Sequence, residues 1–389
     1  MSCDILNTVK LKYFLIGPLL SLLVACSDGS GNPVFLIPET DDLLTANSSL
    51  NNFVDTTPEF SGASLIVVDK RAGVIHRHYA GDHDEDTVQL LASTSKMPAV
   101  SLLMALAEDD QNVDFEIDRV IEDYLPYTGV WPGRTVEQLV SNTSGIPGLQ
   151  YASQYGPHLC QYLPVGQLQT CAQTIYQTPL DSLPSYPPGT NFDYGGSPWQ
   201  LAGAVAEIVG GATWNQLFDQ YIREPCGLDV FEFGNMLLSP GDWSGHPDGL
   251  VGRDNPSIEG GAISNIEDYA KLLSMHLNAG RCGDQQVLSA EAVTFMLEDR
   301  ATPTGAITPG GWGYGMGWWV VQPEDIAEAP SLFLDPGAFG AVAWIDTERE
   351  YAALFLAQSS NLEDGSLASG YAIGQLITLI ESAYDNSRP

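Results

Sequence analysis

Positive charge is scarce in this chain. Its 389 residues carry 15 Lys and Arg against 49 Asp and Glu, a formal net charge of −34. A surface of that sign repels nucleic acid and anionic lipid, so no nucleic-acid partner is expected. It reads as a solubility or salt adaptation. Metal-ligand spacing is missing too. No Cys-x-x-Cys pair occurs and the six histidines are scattered, so no metal and no cofactor are expected and the histidines read as surface or structural residues. There is no Gly-x-Ser-x-Gly turn, and no histidine stands where a Ser-His-Asp relay would need one. The N-terminal apolar run, Tyr13 to Ala25, is too short to span a bilayer comfortably. What remains is a composition 44% hydrophobic, enough for a sizeable core.

The chain has five lysines, and only Lys96 has a serine three residues before it, at Ser93. The apolar spacing Val100, Leu102, Leu103, Leu106 predicts a helix that starts at Ser93 and runs to Glu108 or Asp109. One helical turn then places the hydroxyl and the amine on one face. A serine hydroxyl is a weak nucleophile until a neighbour takes its proton. Burial lowers an amine's pKa and fits lysine for that task. A helix N-terminus adds backbone N–H groups suited to an oxyanion. The pair by itself is a weak motif, because a helix-capping serine before a solvated lysine looks the same.

Lys10 and Lys12 precede the apolar run, which ends Leu23-Val24-Ala25-Cys26. This resembles a bacterial lipoprotein signal. The resemblance implies cleavage after residue 25, lipidation of Cys26 and, with Ser27 next, an outer-membrane address facing the periplasm. Any membrane contact would then run through the N-terminal lipid. Export permits disulfides. Setting aside Cys3 and Cys26 leaves Cys160, Cys171, Cys226 and Cys282. An even set reads as two bridges, with Cys160–Cys171 as the local pair and Cys226–Cys282 joining two helix ends.

Residues 26–57 are Asp-, Asn-, Ser- and Thr-rich and read as a flexible tether. Ala63–Asp69 and Val74–Tyr79 predict a hairpin. Helices follow, among them one from Thr135, whose spacing to Gln138 predicts a capping box, and one from Pro198 that stops at Gly210-Gly211. Further helices are expected near 214–222, 266–279 and 289–297. Strands are expected over Gly315–Val321, over Ala338–Ile345 after a turn at Asp335-Pro336-Gly337, and over Tyr351–Ala357, then a closing helix over about 368–383. Strands at both ends and helices between them predict an α+β fold. One antiparallel sheet is built from both termini and flanked by helices, with a mostly helical lobe and a cleft against it.

Several stretches in this order resemble the serine β-lactamase and DD-peptidase superfamily, above all class C β-lactamases and the esterases of that fold. They are Ala92-Ser93-Thr94-Ser95-Lys96, Gln138 to Pro147, Pro188 to Tyr194, Gly260-Gly261-Ala262-Ile263-Ser264, and Gly337-Ala338-Phe339-Gly340 running into Trp344-Ile345-Asp346. The resemblance covers roughly residues 58–385. It implies that Ser93 is the nucleophile, that Lys96 and Tyr194 share the base and acid roles, and that the N–H groups of Ser93 and Ala338 form the oxyanion hole.

Two motifs depart from the family. Its Tyr-x-Asn reads Tyr194-Gly195-Gly196 here, so no side chain at Gly196 holds the amide of a peptide-like substrate. Its Lys-Thr-Gly reads Asp335-Pro336-Gly337, which keeps the glycine but puts an acid where a cation would attract a substrate carboxylate. Trp318, Trp319 and Phe339 are candidates for an acyl pocket, with core packing expected for one of the two tryptophans, whose side chains alternate faces. The reading is a monomeric serine hydrolase of small neutral acyl esters. The alternatives are a β-lactamase or D-amino-acid peptidase, and a cell-wall-facing binding lipoprotein without catalysis.

Overall fold

The structure is a computed structural model that describes residues 41–387 apart from 155, 307, 324–327 and 360, and before residue 41 only Cys26–Ser27 and Pro33–Val34. The chain divides after residue 36 into two units. In the first, Cys26–Ser27 pairs antiparallel with Pro33–Val34. The expected signal peptide over residues 1–25 lies outside the described residues.

The second unit is organised by a seven-stranded sheet. Its strands are β1 (Gly62–Asp69), β2 (Gly73–Gly81), β3 (Gly313–Tyr314), β4 (Trp319–Val320), β5 (Leu332–Pro336), β6 (Val342–Asp346) and β7 (Tyr351–Ala357). They lie in the order β3-β4-β5-β6-β7-β1-β2, antiparallel throughout. The hairpin β1–β2 forms as expected, and β7 joins it to the last third of the chain with Leu354 opposite Ile66. Residues 63–68 of β1 are all buried, because helices cover both faces of the sheet, and this is why the strand reads as an apolar run broken only by Ser64.

The helices that matter for the site are α1 (Asp41–Thr56), α2 (Lys96–Glu108), α3 (Pro198–Gly210), α4 (Ile266–Leu277) and α5 (Ile377–Ser387). On one face α4 packs on β1 and β7; on the other α1 packs on α5. The capping box at Thr135 and Gln138 is present, and Gly211 ends α3 in the left-handed region. Both expected disulfides form, Cys160–Cys171 and Cys226–Cys282. Four of the histidines are buried: His76, His83, His158 and His276. Ring nitrogens of the last three meet the hydroxyls of Ser64, Ser197 and Ser101.

Four sequence expectations need correction. The tether is helical over its second half. Leu43, Ala46, Leu50, Phe53 and Val54 repeat at helical spacing and are all buried, with the Phe53 ring stacked 4.2 Å from that of Tyr371. The polar residues between them hid that stripe. The expected strand Gly315–Val321 is the turn of a hairpin plus β4. Gly317 takes φ 80°, and a Cβ there would press on the Lys96 backbone, so the turn lies against α2. The Asp335-Pro336 pair, read as a turn, closes β5, where Pro336 sits opposite Val342 in the last position. The closing helix also begins earlier, at Leu362, and passes through a π turn at Ala372–Leu376 into α5.

Candidate active site

Ser93 stands on a strained turn. A 3-10 turn, Ala92–Ser95, precedes α2, and Ala92 takes φ 47°, a conformation that few residues with a Cβ adopt. Several bonds over-determine the turn. Leu91 N–H donates to Ala262 O at 2.9 Å, and Ala262 N–H donates to Ser95 Oγ at 3.0 Å. Thr94 Oγ1 donates to Asp335 O at 2.9 Å, and Tyr269 OH donates to Thr94 O at 2.8 Å. Sequence reading missed Thr94, Ser95 and Tyr269 as supports, because each acts through a partner far away in the chain.

Lys96 Nζ donates to Ser93 Oγ at 3.0 Å and to Glu259 O at 2.9 Å. The amine is fully buried. It lies 4.8 Å from the centre of the Tyr194 ring and 5.3 Å from that of Trp199. Lys96 and Ser93 both act on the Tyr194 phenol. Its ring stacks on Trp319 at 5.1 Å and meets Tyr314 edge-on at 5.6 Å. Its backbone is set by Leu149 N–H, which donates to Tyr194 O, and by Gly195 N–H, which donates to Asn142 Oδ1. Asn142 also accepts from Trp199 Nε1 and itself takes φ 61°. The family-like stretch around Asn142 therefore positions Tyr194.

The charge balance differs from expectation. Burial pulls the Lys96 amine down, but Tyr194, Glu259 and Asp335 outweigh it and leave the amine above its ordinary value. Burial pushes the Tyr194 phenol up, against the pull of Lys96. The resting site holds an ammonium and a neutral phenol. Glu259 was not anticipated. It directly precedes the Gly260-Gly261 pair, and its buried carboxylate lies 3.4 Å from Lys96 Nζ.

Two cavities meet at Ser93, Leu149 and Ala338. The first, about 530 Å³, is walled by Trp312, Trp319, Pro336, Gly337 and Ile373. The second, about 420 Å³, is walled by Leu159, Tyr162, Leu237, Leu238 and Phe339. Trp319 thus faces a cavity while Trp318 is core, as the alternation of faces requires. Gly337 and Phe339 are lining residues; Gly196 and Asp335 are not. Asp335 points beneath the strand, 1% exposed, and accepts from Met97 N–H at 3.2 Å. Burial holds its carboxyl well above the usual range despite Lys96 and the Met97 N–H. The expected direct repulsion of a substrate carboxylate by Asp335 is therefore replaced by a buried group acting on Lys96. Among the described residues no group of three or more His, Cys, Asp or Glu side chains could hold a metal.

Gly337 is the contact between β5 and the nucleophile turn. A Cβ there would collide with Leu91 O and reach Thr94 Oγ1 at 2.8 Å. Gly337→Ala is expected to push Ala338 away from Ser93 and to lower any Ser93-dependent turnover about 10²-fold or more, the loss typical of one displaced oxyanion donor. Steady-state kinetics beside an unchanged circular dichroism spectrum checks this.

The sequence matches the model of the Beta-lactamase family over residues 50–375. Penicillin-binding protein 4 of Amycolatopsis lactamdurans is 23% identical over 274 residues, 65% of this chain and 68% of that protein. Among solved structures, EstCE1, a hydrolase with promiscuous acyltransferase activity, superposes with a TM-score of 0.69 at 17% identity, over 87% of this chain and 98% of that one. The octameric penicillin-binding protein homologue from Pyrococcus abyssi superposes with a TM-score of 0.65 at 20% identity, over 87% and 78%. With a family match across most of its length and the fold to go with it, the chain belongs to the Beta-lactamase family of serine hydrolases.

Proposed function

We propose that this protein is a serine esterase acting on small neutral acyl esters through an acyl-enzyme on Ser93. The observation that carries the reading is the lining of the two cavities. Both are mostly apolar, and among their described lining residues there is no Lys, Arg or His. A substrate with a carboxylate gains no ion pair there and loses hydration on entry. An ester with an apolar group on each side of its carbonyl fills both cavities and leaves the carbonyl carbon beside Ser93.

In this reading Ser93 Oγ attacks the ester carbonyl carbon as its proton passes into the Lys96–Tyr194 pair. The oxyanion is held by the N–H groups of Ser93 and Ala338. The carbon–oxygen bond to the alcohol then breaks, and Tyr194 supplies the proton that the leaving alkoxide needs. Water attacks the acyl-enzyme by the reverse path, releases the acid and returns Ser93 Oγ–H. Because Lys96 rests as ammonium, it sheds a proton before it can accept one, so turnover rises with pH on the alkaline side of neutrality. Cys26 belongs to the same reading as the lipidated residue of an exported protein, held in the cell envelope and facing the periplasm. The lysine-led apolar run before it supports this assignment.

The test compares a short-chain nitrophenyl ester with a chromogenic cephalosporin on the full-length protein. Ester turnover is expected to exceed cephalosporin turnover by about 10²-fold or more in kcat/KM, or about 3 kcal/mol of transition-state binding. The reverse order would favour a β-lactamase or D-amino-acid peptidase, the reading that the penicillin-binding relative supports. Absence of turnover and of serine acylation would favour a binding lipoprotein.

A further inference from the structure

We propose that Glu259 is the counter-ion of Lys96 and the positioning residue for its amine, occupying the space beside Gly196, which has no side chain of its own. Four observations place it. Its carboxylate is nearly fully buried and Oε2 lies 3.4 Å from Lys96 Nζ. The same Oε2 accepts the Gly196 N–H at 2.7 Å. Tyr162 OH donates to Oε1 at 3.2 Å. The backbone carbonyl of the same residue accepts from Lys96 Nζ at 2.9 Å. One residue thus grips the amine twice and ties it to the turn that carries Tyr194.

The geometry leaves little room for another arrangement. Gly195 takes φ 68° and Gly196 φ 88°, where glycine is favoured, and a Cβ on Gly195 would press on Oε2. The glycines and the carboxylate therefore fit as a set. A charge buried to this depth is tolerated only with a partner and satisfied hydrogen bonds, and Glu259 has both. The groups facing Lys96 are Ser93, Tyr194, Glu259 and Asp335, with the Trp199 ring. Those acting on Glu259 are Lys96, Tyr162 and Gly196 in contact, with Tyr194 and Tyr314 near enough to feel its charge. Of the two acids near the amine, Glu259 is the one in ion-pair contact. It sets the pH at which Lys96 becomes a free base, and because it also raises the Tyr194 phenol, its removal lowers both groups of the proton-accepting pair.

The direct test is a titration of Lys96 by NMR, with 13C at the lysine ε-carbon, in the full-length protein. Five lysines give a spectrum simple enough to resolve, and Lys96 is assigned by its absence from the Lys96→Arg spectrum. Glu259→Gln keeps an acceptor for Gly196 and a group for Tyr162, and removes only the charge. The expected result is a fall of about one pH unit or more in the Lys96 titration, the scale of a lost contact charge. The low-pH limb of kcat/KM for ester hydrolysis moves down with it. Glu259→Asp, which draws the carboxylate back by one methylene, is expected to lie between the two. A Lys96 titration unmoved in folded Glu259→Gln overturns the proposal. If that variant does not fold, an unmoved titration in Glu259→Asp does the same. The inference rests on the esterase reading only for its kinetic readout. Loss of that reading would show as absent Ser93-dependent turnover in the wild type, while the lysine titration still decides the role of Glu259.

Discussion

Ser93→Ala is expected to lower ester turnover by about 10⁴-fold or more while leaving the fold and the affinity for a product acid nearly unchanged. The size follows from what the substitution removes. Ser93 Oγ is the hydroxyl bonded to the Lys96 amine, at the junction of both cavities. Its loss takes away the bond-forming atom, and no rearrangement of the turn replaces it. What stays is also clear from the structure. The turn is held by Leu91, Thr94 and Ser95, not by the Ser93 side chain. Lys96 keeps Glu259, through both its carbonyl and its carboxylate. The backbone N–H groups of residues 93 and 338 are untouched, so a product acid still binds. Steady-state kinetics, thermal unfolding and labelling by a fluorophosphonate followed by mass spectrometry check the three parts. Residual turnover above about 1% of wild type would point to another nucleophile. Ser366 and Ser369, which line the first cavity, are the hydroxyls to examine then.

The second large effect is on stability. Lys96→Met is expected to abolish turnover and also to destabilise the protein by about 3–5 kcal/mol at pH 8, because it leaves two buried acids without their cation. Glu259 is in contact with that cation, and Asp335 feels its charge. The sign of the pH dependence follows from Asp335, whose carboxyl is already well above its ordinary value. Without Lys96 the pull that lowers it is gone. An acid with a raised folded pKa loses stability as pH rises from its unfolded value, near 4, through the folded value. Wild type stops losing stability above its own folded value and the variant continues, so the gap between them should widen with rising pH and be least at pH 5. Urea unfolding of both proteins at the two pH values measures it. Lys96→Met combined with Glu259→Gln should recover part of the loss at pH 8, since one of the two charges is removed. A gap that does not change with pH would show that lost packing, not unpaired charge, dominates.

The two effects rest on different parts of one site. Ser93 lies at the junction of the cavities and, in the proposed reaction, carries the bond-forming step. Lys96 lies beneath it, closed from water, and carries the charge balance. This division explains how Asp335 can replace a cation without spoiling the cavity. The acid faces down, towards α2, where the Met97 N–H meets it. The surface that the substrate sees at that point belongs to Pro336, Gly337 and Ala338. The one acid that lines either cavity among the described residues, Glu259 in the second, is paired with Lys96, so substrate choice is then set by the cations the walls lack and not by Asp335.

Much of this was legible in the chain itself. The hairpin β1–β2 follows from alternation and turn residues, α2 from its apolar spacing, and the capping box at Thr135 from two side chains three apart. Ser93, Lys96 and Tyr194 converge as local motifs and their resemblance implied. Both disulfides match the pairing expected from an even count of cysteines in a chain read as exported. These features are local in sequence, or are fixed by a few residue types with one chemistry. The tertiary structure alone decided the rest. Helix α1 hid because its apolar stripe is spread among polar residues and is covered only when β2, α5 and Tyr371 pack against it. Strand β5 hid because a proline in its last position and a following glycine read as a turn until β6 lies beside them. Glu259 hid for the deepest reason. A carboxylate before two glycines has no special meaning in one dimension. It becomes a partner of Lys96 only when a loop 163 residues further along the chain is folded against the start of α2. Burial then removes the water that would otherwise separate and screen the two charges.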